Sequence, residues 1–249
     1  MSGLLILNAD DWGYDDPTTA AIVDCYERGG LTSTTQMAFM RGTDAAARVA
    51  ERVPGLGIGL HLNLVEAYTD PNTPADVRER QRSLIEHARL LRLRRWVYDP
   101  FVKDTINQVI ADQFRQFIAL YGRMPTHVDG HHHCHLAANV LLSPAMPKGT
   151  KIRNALSDAH FSNPLTNGLR LAREKLIERR FRTTDYFVSI ETTWPGLAGP
   201  VPPDKLELAR TQSIEVMLHP IFDRELEPLA SPEWLDAVAA MPTGTYGDL

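Results

Sequence analysis

Short apolar segments alternate with helical segments along most of this chain, and this alternation restricts the folds that it can adopt. Runs of apolar and β-branched residues predict strands at 4–10, 32–40, 57–64, 126–131, 151–156, 185–190 and 213–218. Apolar residues at helical spacing predict helices at 18–28, 44–52, 105–121, 167–181, 203–210 and 232–241. This order is typical of an α/β fold with a parallel sheet covered by helices. About seven strands favour an irregular, TIM-like (β/α) barrel over an open sheet.

Composition narrows the class of protein further. No tract rich in glycine, serine or proline divides the chain, so residues 1–249 are predicted to form one domain. A formal charge of −5, from 26 basic and 31 acidic residues, argues against general nucleic-acid binding. There is no apolar run of about 18 residues to span a membrane, and the N-terminus lacks the features of a secretory signal. We therefore expect a cytoplasmic protein, with Cys25 and Cys134 as free thiols.

Residues 65–100 interrupt the alternation of strands and helices. Between residues 78 and 95 this segment holds seven arginines and two glutamates, a local charge of +5. Leu84, Leu91 and Trp96 indicate an amphipathic helix laid over the body of the protein. We predict a helical insertion at the barrel mouth. The sequence leaves open whether it is a solvated surface helix, a lid or a contact for an anionic substrate or partner.

Polar side chains lie at the ends of several predicted strands. Asp10 and Asp11 end the first strand, His61 lies toward the end of the third, and His219 follows the last. Each has a plainer explanation alone, since paired aspartates often stabilise turns and a lone histidine is often a core residue. Because the carboxyl ends of parallel strands share one edge, where ligands gather, we expect these side chains to lie together.

The segment HVDGHHHCH at 127–135 contains five of the nine histidines. If the strand continued to residue 133, His127, Asp129, His131 and His133 would share one face. Imidazole is a common ligand of zinc and related ions, and a catalytic metal site typically uses three protein ligands. Not all of these histidines can bind one ion, so others would orient ligands or contact the substrate. A chance histidine-rich loop is the alternative.

Six segments together resemble the YdjC-like carbohydrate deacetylases, the ChbG/HpnK family. They are NADDWG at 8–13, LTSTT at 31–35, GLHLNL at 59–64, PTHVDGHHHCH at 125–135, IR at 152–153 and EVMLHP at 215–220. The presence of both NADD and the histidine run in one protein is highly specific evidence for this resemblance. The resemblance implies an irregular TIM-like barrel, related to polysaccharide-deacetylase barrels. It also implies a hydrolase that removes acetyl groups from N-acetylated sugars with one divalent metal ion.

The metal ligands that this resemblance implies are Asp11, His61 and His131. Two imidazoles and a carboxylate favour zinc by ligand preference, whereas the family is often described with magnesium. We therefore expect one divalent ion, zinc or magnesium. Asp129 and His133 are expected to support the ligands or to face the substrate.

The resemblance also implies catalytic roles. Asp10 would be the base that takes a proton from the attacking water, and His219 the acid that protonates the departing amine. Arg153 lies where it can orient the base. Trp12 stands where the family commonly has phenylalanine, and it is expected to widen a platform for the sugar.

The expected substrate is an oligosaccharide or glycoconjugate that contains N-acetylglucosamine, and the particular sugar stays open. One alternative is a metal-dependent hydrolase of phosphate or other esters, with the arginines holding the anion. Another is a sugar-binding protein without turnover, which the presence of both Asp10 and His219 disfavours. We expect neither nucleic acid nor a membrane span, and the sequence leaves a homodimer open.

Overall fold

A computed structural model describes residues 3–90, 98–155, 164–190 and 204–249. Its sheet consists of β1 (Leu4–Trp12), β2 (Ser33–Met37), β3 (Gly57–Leu62), β4 (Val128–Gly130), β5 (Tyr186–Ser189) and β6 (Ser213–Leu218). The spatial order is β4-β3-β2-β1-β6-β5, and all neighbouring strands are parallel. The prediction of an α/β fold with a parallel sheet is therefore confirmed. The described residues form a six-stranded half-barrel, and neither the seventh strand nor closure into a full barrel is confirmed.

Helices lie between and after the strands along the chain. They are α1 (Asp16–Glu27), α2 (Thr43–Val49), α3 (Ala75–Leu90), α4 (Lys103–Tyr121), α5 (Ala138–Leu141), α6 (Pro164–Arg180), α7 (Asp204–Glu207), α8 (Asp223–Leu229) and α9 (Pro232–Ala239). Local signals set several boundaries. The Asp15 side chain caps α1 by accepting a hydrogen bond from the backbone N–H of Thr18 at 2.9 Å. Gly122, at φ 65°, ends α4 in the left-handed conformation.

Apolar packing on the helix-covered face of the sheet fixes the strands. In β1, Leu5 and Leu7 pack in a buried cluster that also contains Trp234 of α9. Asn8 and Asp10 follow at alternate positions and are also buried, but their side chains bond to each other, and Asp10 also binds Arg153. Because side chains alternate along a strand, β1 places a polar row on the opposite face, inside the half-barrel.

The fourth strand is shorter than predicted and ends at Gly130. Residues 131–136 form a 3-10 segment, in which His132 and His133 have left-handed backbone angles (φ 51° and 56°). Side chains alternate between two faces only while the chain stays extended. The condition under which alternate residues across 127–133 would share one strand face is therefore not met beyond Gly130.

The predicted strand at 151–156 is also not formed as a ladder. Lys151 and Ile152 instead make single parallel bridges to Arg182 and Val128 respectively. These bridges continue the sheet beyond β4 in the direction of β5, and residue 156 lies outside the described residues.

Within the arginine-rich insertion, residues 75–90 form a helix, α3. Leu84 is buried, Arg78 donates to three backbone carbonyls of the preceding loop, and Arg80 pairs with carboxylates on α3 and α4. The predicted packing roles of Leu91 and Trp96 lie outside the described residues. Within the described part, α3 is a surface helix whose first arginines support the fold.

Two smaller expectations concern the thiols and membranes. Cys25 and Cys134 are both free, as predicted. Among the described ranges, no helix has the length and apolar character that crossing a bilayer requires.

Candidate active site

A bulge at the end of β1 brings two adjacent carboxylates to the same edge of the sheet. The pairing with β2 shifts register between Ala9 and Trp12, which leaves Asp10 and Asp11 outside the regular ladder. Asp11 has φ 71°, a left-handed angle that is uncommon for residues other than glycine. Strained backbone of this kind clusters at functional sites. The bulge overcomes the strand alternation that would otherwise point the two side chains in opposite directions.

Three of the predicted residues form a compact group at this edge. Nε2 of His61 and Nδ1 of His131 each lie 3.2 Å from Oδ1 of Asp11. One potential ligand atom from each residue lies within 4.8 Å of the other two. His61 is fully buried, whereas Asp11 and His131 are partly exposed. The predicted ligand set is thus together in space, and one side of it is open.

The donor atoms and their charges fit a divalent cation. Nδ1 of His61 donates to Oδ1 of Asp129 at 2.8 Å, so Nε2 is the nitrogen directed toward Asp11, and it would bind a cation once it has given up its proton. Burial opposes a charge on His61, but the carboxylates of Asp129, Asp10 and Asp11 outweigh it and raise its pKa to about 9. Burial likewise opposes ionisation of Asp11, yet its hydrogen bond to His131 and the charge of His61 keep its pKa low. The surrounding carboxylates therefore favour positive charge at this point.

Arg153 is fully buried and binds three carboxylates behind this group. Its two terminal nitrogens donate to the two oxygens of Asp10 at 2.7 and 2.6 Å. It also lies 2.8 Å from oxygens of Asp129 and Glu215. Burial disfavours the Asp10 carboxylate, but Arg153, with smaller effects of His61 and His219, holds its pKa well below the usual range. Asp10 is therefore ionised and held in one orientation.

A second group of potential ligand atoms comprises Asp10, His61 and Asp129. A cation there would compete with the guanidinium of Arg153, which already binds both carboxylates. Asp129 also uses its other oxygen to hold Nδ1 of His61. We therefore assign the more exposed group with Asp11 and His131 as the candidate cation site.

His219 lies beside the base candidate, as the strand-end pattern predicted. Its Nε2 is 3.8 Å from Oδ2 of Asp10, and its Nδ1 is 3.7 Å from Oε1 of Glu225. The other oxygen of Glu225 accepts the backbone N–H of His219 at 2.6 Å. Burial opposes a charge on His219, but Glu225 and Asp10 together raise its pKa. This histidine therefore keeps its proton to a higher pH than a free imidazole.

The predicted sugar platform at Trp12 is wrong. Its indole is fully buried in the apolar core, and its Nε1 donates to Oη of Tyr121 at 3.2 Å. The bulge turns Asp11 to the edge and directs the next side chain into the core. Phe222 is an aromatic ring that is exposed at this edge, and its centroid lies 5.8 Å from that of His219.

The histidine-rich segment separates into residues with different environments. His131 joins the ligand group, whereas His127 is buried and stacks on the ring of Tyr246 with centroids 3.9 Å apart. His135 is buried and its Nε2 contacts a backbone carbonyl. His133 is exposed and meets the ring of Phe187 edge-on at 5.8 Å, which suits a contact with substrate.

Three residues that contribute to this site were not identified from the sequence. Glu215, an acidic residue in the apolar strand β6, shares the two-residue period of His219, and this was a usable signal. Tyr246 donates to Glu215 from the C-terminal segment, and Glu66 contacts Nε2 of His131 from the loop after β3. Neither of these lies in a regular pattern that sequence periodicity could reveal.

The fold and this site define a class of protein: a parallel α/β half-barrel with an Asp-His-His group at the carboxyl edge of its sheet. The chain belongs to the YdjC-like protein family, whose profile matches residues 4–240. This confirms the family that the sequence motifs indicated.

Named relatives and a solved structure are consistent with this membership. A chitooligosaccharide deacetylase of Serratia marcescens is 31% identical over 235 residues, which are 89% of this chain and 83% of that protein. One of Salmonella newport is 33% identical over 141 residues, 55% of this chain and 52% of that protein. A crystal structure from Enterococcus faecalis V583, of a candidate cellobiose-phosphate cleavage protein, superposes with a TM-score of 0.68 at 20% identity. It covers 100% of this chain and 99% of that one, and it supports the fold alone.

Proposed function

We propose that this protein is a metal-dependent carbohydrate N-deacetylase, which hydrolyses the acetamide of an N-acetylated sugar. The observation that carries the proposal is the grouping of Asp11, His61 and His131 beside an ionised Asp10 and a histidine with a raised pKa. Amide hydrolysis needs a group that activates the carbonyl, a base for the attacking water and an acid for the departing amine. Asp10 and His219 are residue types that supply the last two. The names of the Serratia and Salmonella relatives support a sugar amide as the substrate.

Asp11, His61 and His131 would hold the cation, and two nitrogens with one oxygen favour zinc, with magnesium as the second choice. A bound divalent cation supplies Lewis acidity, which polarises a carbonyl and lowers the pKa of water enough for a weak base to deprotonate it. That last property matters here, because the low pKa of Asp10 makes its carboxylate a weak base. Arg153 is a positioning residue, since it is fully buried and acts through Asp10.

The two catalytic side chains would act on opposite ends of the reaction. Asp10 accepts a proton from the attacking water, and His219 gives a proton to the amine as the C–N bond breaks. The sugar nitrogen therefore faces His219, next to the exposed ring of Phe222. Aromatic rings offer sugars an apolar surface, so this ring, rather than Trp12, suits the sugar side of the site.

The phosphate-ester alternative depends on the seven arginines of the insertion, and the structure describes three of these side chains. Arg78, Arg80 and Arg82 of α3 contact backbone carbonyls or carboxylates, and no observation at these three favours an anion site. Hydrolysis of a generic phosphate ester serves as the control reaction in the test that follows.

Acetate release from N-acetylated sugars tests the proposal directly. The screen would include N-acetylglucosamine, its short β-linked oligomers and lipid-linked forms, after removal of metal and after addition of Zn²⁺ or Mg²⁺. We expect acetate from at least one sugar, abolished by chelator and restored by one of the two ions. A protein that binds the ion and the sugars but releases no acetate would instead be a binding protein.

The pH dependence of kcat/KM is expected to report His219. The protonated acid is present below its pKa and lost above it, so activity should fall on the alkaline side. Because Glu225 helps to raise that pKa, Glu225→Gln should move the alkaline limb to lower pH, by several tenths to about one unit. Glu227→Gln, an exposed glutamate of the same helix, is the matched control. An alkaline limb that stays in place in Glu225→Gln would contradict the assignment of His219.

A further inference from the structure

Glu66 links one candidate metal ligand to a second network of hydrogen bonds. Its Oε2 lies 3.0 Å from Nε2 of His131, while Nδ1 of the same ring lies 3.2 Å from Asp11. Its Oε1 accepts a hydrogen bond from Oη of Tyr14 at 2.7 Å. The bond to Glu66 raises the pKa of Tyr14 to about 12, so this phenol remains a donor at working pH. The Glu66 carboxylate is therefore held from both sides.

The backbone around Glu66 is fixed just as closely. Oδ1 of Asn63 accepts the backbone N–H groups of Val65 and Glu66 at 3.1 and 2.9 Å. The side-chain amides of Asn63 and Gln81 donate to the Glu66 carbonyl at 2.8 and 2.7 Å. Gln81 lies in α3, is almost fully buried, and also accepts the backbone N–H of Tyr68 at 2.9 Å. Helix α3 thus holds the loop at the start of the insertion, which carries Glu66.

We propose that α3 supports the metal centre: Gln81 holds the loop, and Glu66 holds the ring of His131 so that Nδ1 is offered to the cation. This rests on the metal centre of the proposed function. When Nε2 donates its proton to Glu66, Nδ1 is the nitrogen that is left to bind the cation. Asp129 has the same relation to His61, whose Nδ1 donates and whose Nε2 faces Asp11. Each candidate imidazole ligand therefore has its own carboxylate partner.

The arrangement gives the insertion a role that its charge did not indicate. The side chains of Arg78, Arg80 and Arg82 bond within the insertion and to α4, whereas Gln81 holds the loop and Glu66 makes the contact with His131. Glu66 is a positioning residue, because its partners in the structure are His131 and Tyr14 and it lies outside the group of three ligand atoms.

The affinity of the metal-stripped 249-residue protein for Zn²⁺, measured by titration calorimetry, tests this inference. Glu66→Ala should weaken binding by about 10- to 100-fold, the usual cost of losing a partner behind a ligand. Glu66→Gln, which keeps an acceptor, should lose less. Glu79→Gln, an exposed residue of α3 paired with Arg82, should bind as the wild type does. In His61→Ala, any heat that remains on adding Zn²⁺ comes from exposed histidines elsewhere.

Gln81→Leu tests the link to α3, and it should also weaken Zn²⁺ binding. The Tm of each variant without metal shows whether it still folds. If Gln81→Leu does not fold, the two Glu66 variants test the inference. Absorption of the Co²⁺-loaded protein separates positioning from ligation, because loss of a positioning residue keeps the coordination number, which sets the molar absorption of the ligand-field bands. A changed molar absorption in Glu66→Gln, beyond a small shift in wavelength, would make Glu66 a ligand and overturn the inference.

The outcomes also separate this inference from the proposed function. If the wild type and His61→Ala take up Zn²⁺ equally, the metal centre itself is refuted, and with it the proposed metal-dependent mechanism. If the wild type binds at this site and Glu66→Ala binds equally well, only the role of Glu66 is refuted. Unchanged binding in a folded Gln81→Leu would remove the role of α3 and leave that of Glu66.

Discussion

Asp10→Asn is expected to lower the kcat for acetate release by about 1,000-fold while the protein keeps its divalent cation. General acid–base catalysis contributes roughly 10²- to 10⁴-fold, and asparagine cannot accept the proton. The substitution preserves the shape of the side chain. Arg153 retains Asp129 and Glu215 as partners, so the fold should persist. Single-turnover acetate release and metal content, measured on the same sample, check both parts.

His61→Ala is the matched counterpart of this variant. It removes a candidate ligand whose Nε2 lies 3.2 Å from Oδ1 of Asp11, so the cation should be lost and activity with it. A stripped sample dialysed against equimolar Zn²⁺ should then contain far less metal than the wild type. Loss of the ion from Asp10→Asn as well would contradict our assignment. It would favour the second group of ligand atoms, which includes Asp10 and Asp129.

The edge of the sheet where the site lies could be predicted from the sequence, because strand ends are marked by changes from apolar to polar residues. The β6 boundaries, Ser213–Leu218, were predicted correctly, and His219 follows directly. Asp10, Asp11 and His61 were expected at one edge for the same reason. β1, β3 and β6 lie in one parallel sheet, so their carboxyl ends share an edge, and the register pairs His61 with Asp129 of the neighbouring strand β4.

Backbone irregularities could not be predicted, since periodicity describes only regular elements. The bulge at Asp11 decides that Trp12 is buried rather than exposed, and no residue pattern announces a φ of 71°. The left-handed backbone of His132 and His133, which follows the early end of β4, is likewise marked by no residue pattern. Glu66 lies in a loop, where the contacts are set by tertiary packing. The sequence therefore indicates which residues matter more reliably than how each is oriented.

Arg153→Met should have the largest effect on stability. The variant leaves Asp10, Asp129 and Glu215 buried without their cationic partner, and breaking a buried ion pair from one side costs about 3–5 kcal/mol. Urea unfolding of the metal-free protein at pH 8 should show this loss. Arg28→Met, which removes an exposed pair with Asp24 on α1, is the control and should unfold as the wild type does.

The sign of the pH dependence distinguishes lost charge from lost packing. In the wild type Arg153 holds the pKa of Asp10 low, a stabilisation that is present above the unfolded pKa and is lost as the pH falls. Without Arg153, burial raises the carboxylate pKa values, so the folded variant binds more protons than the unfolded chain and loses stability as the pH rises. The deficit relative to wild type should therefore be smaller at pH 5 than at pH 8. An equal deficit at both pH values would mean that Arg153 contributes packing rather than charge, and Asp10 would then lose the residue proposed to orient it.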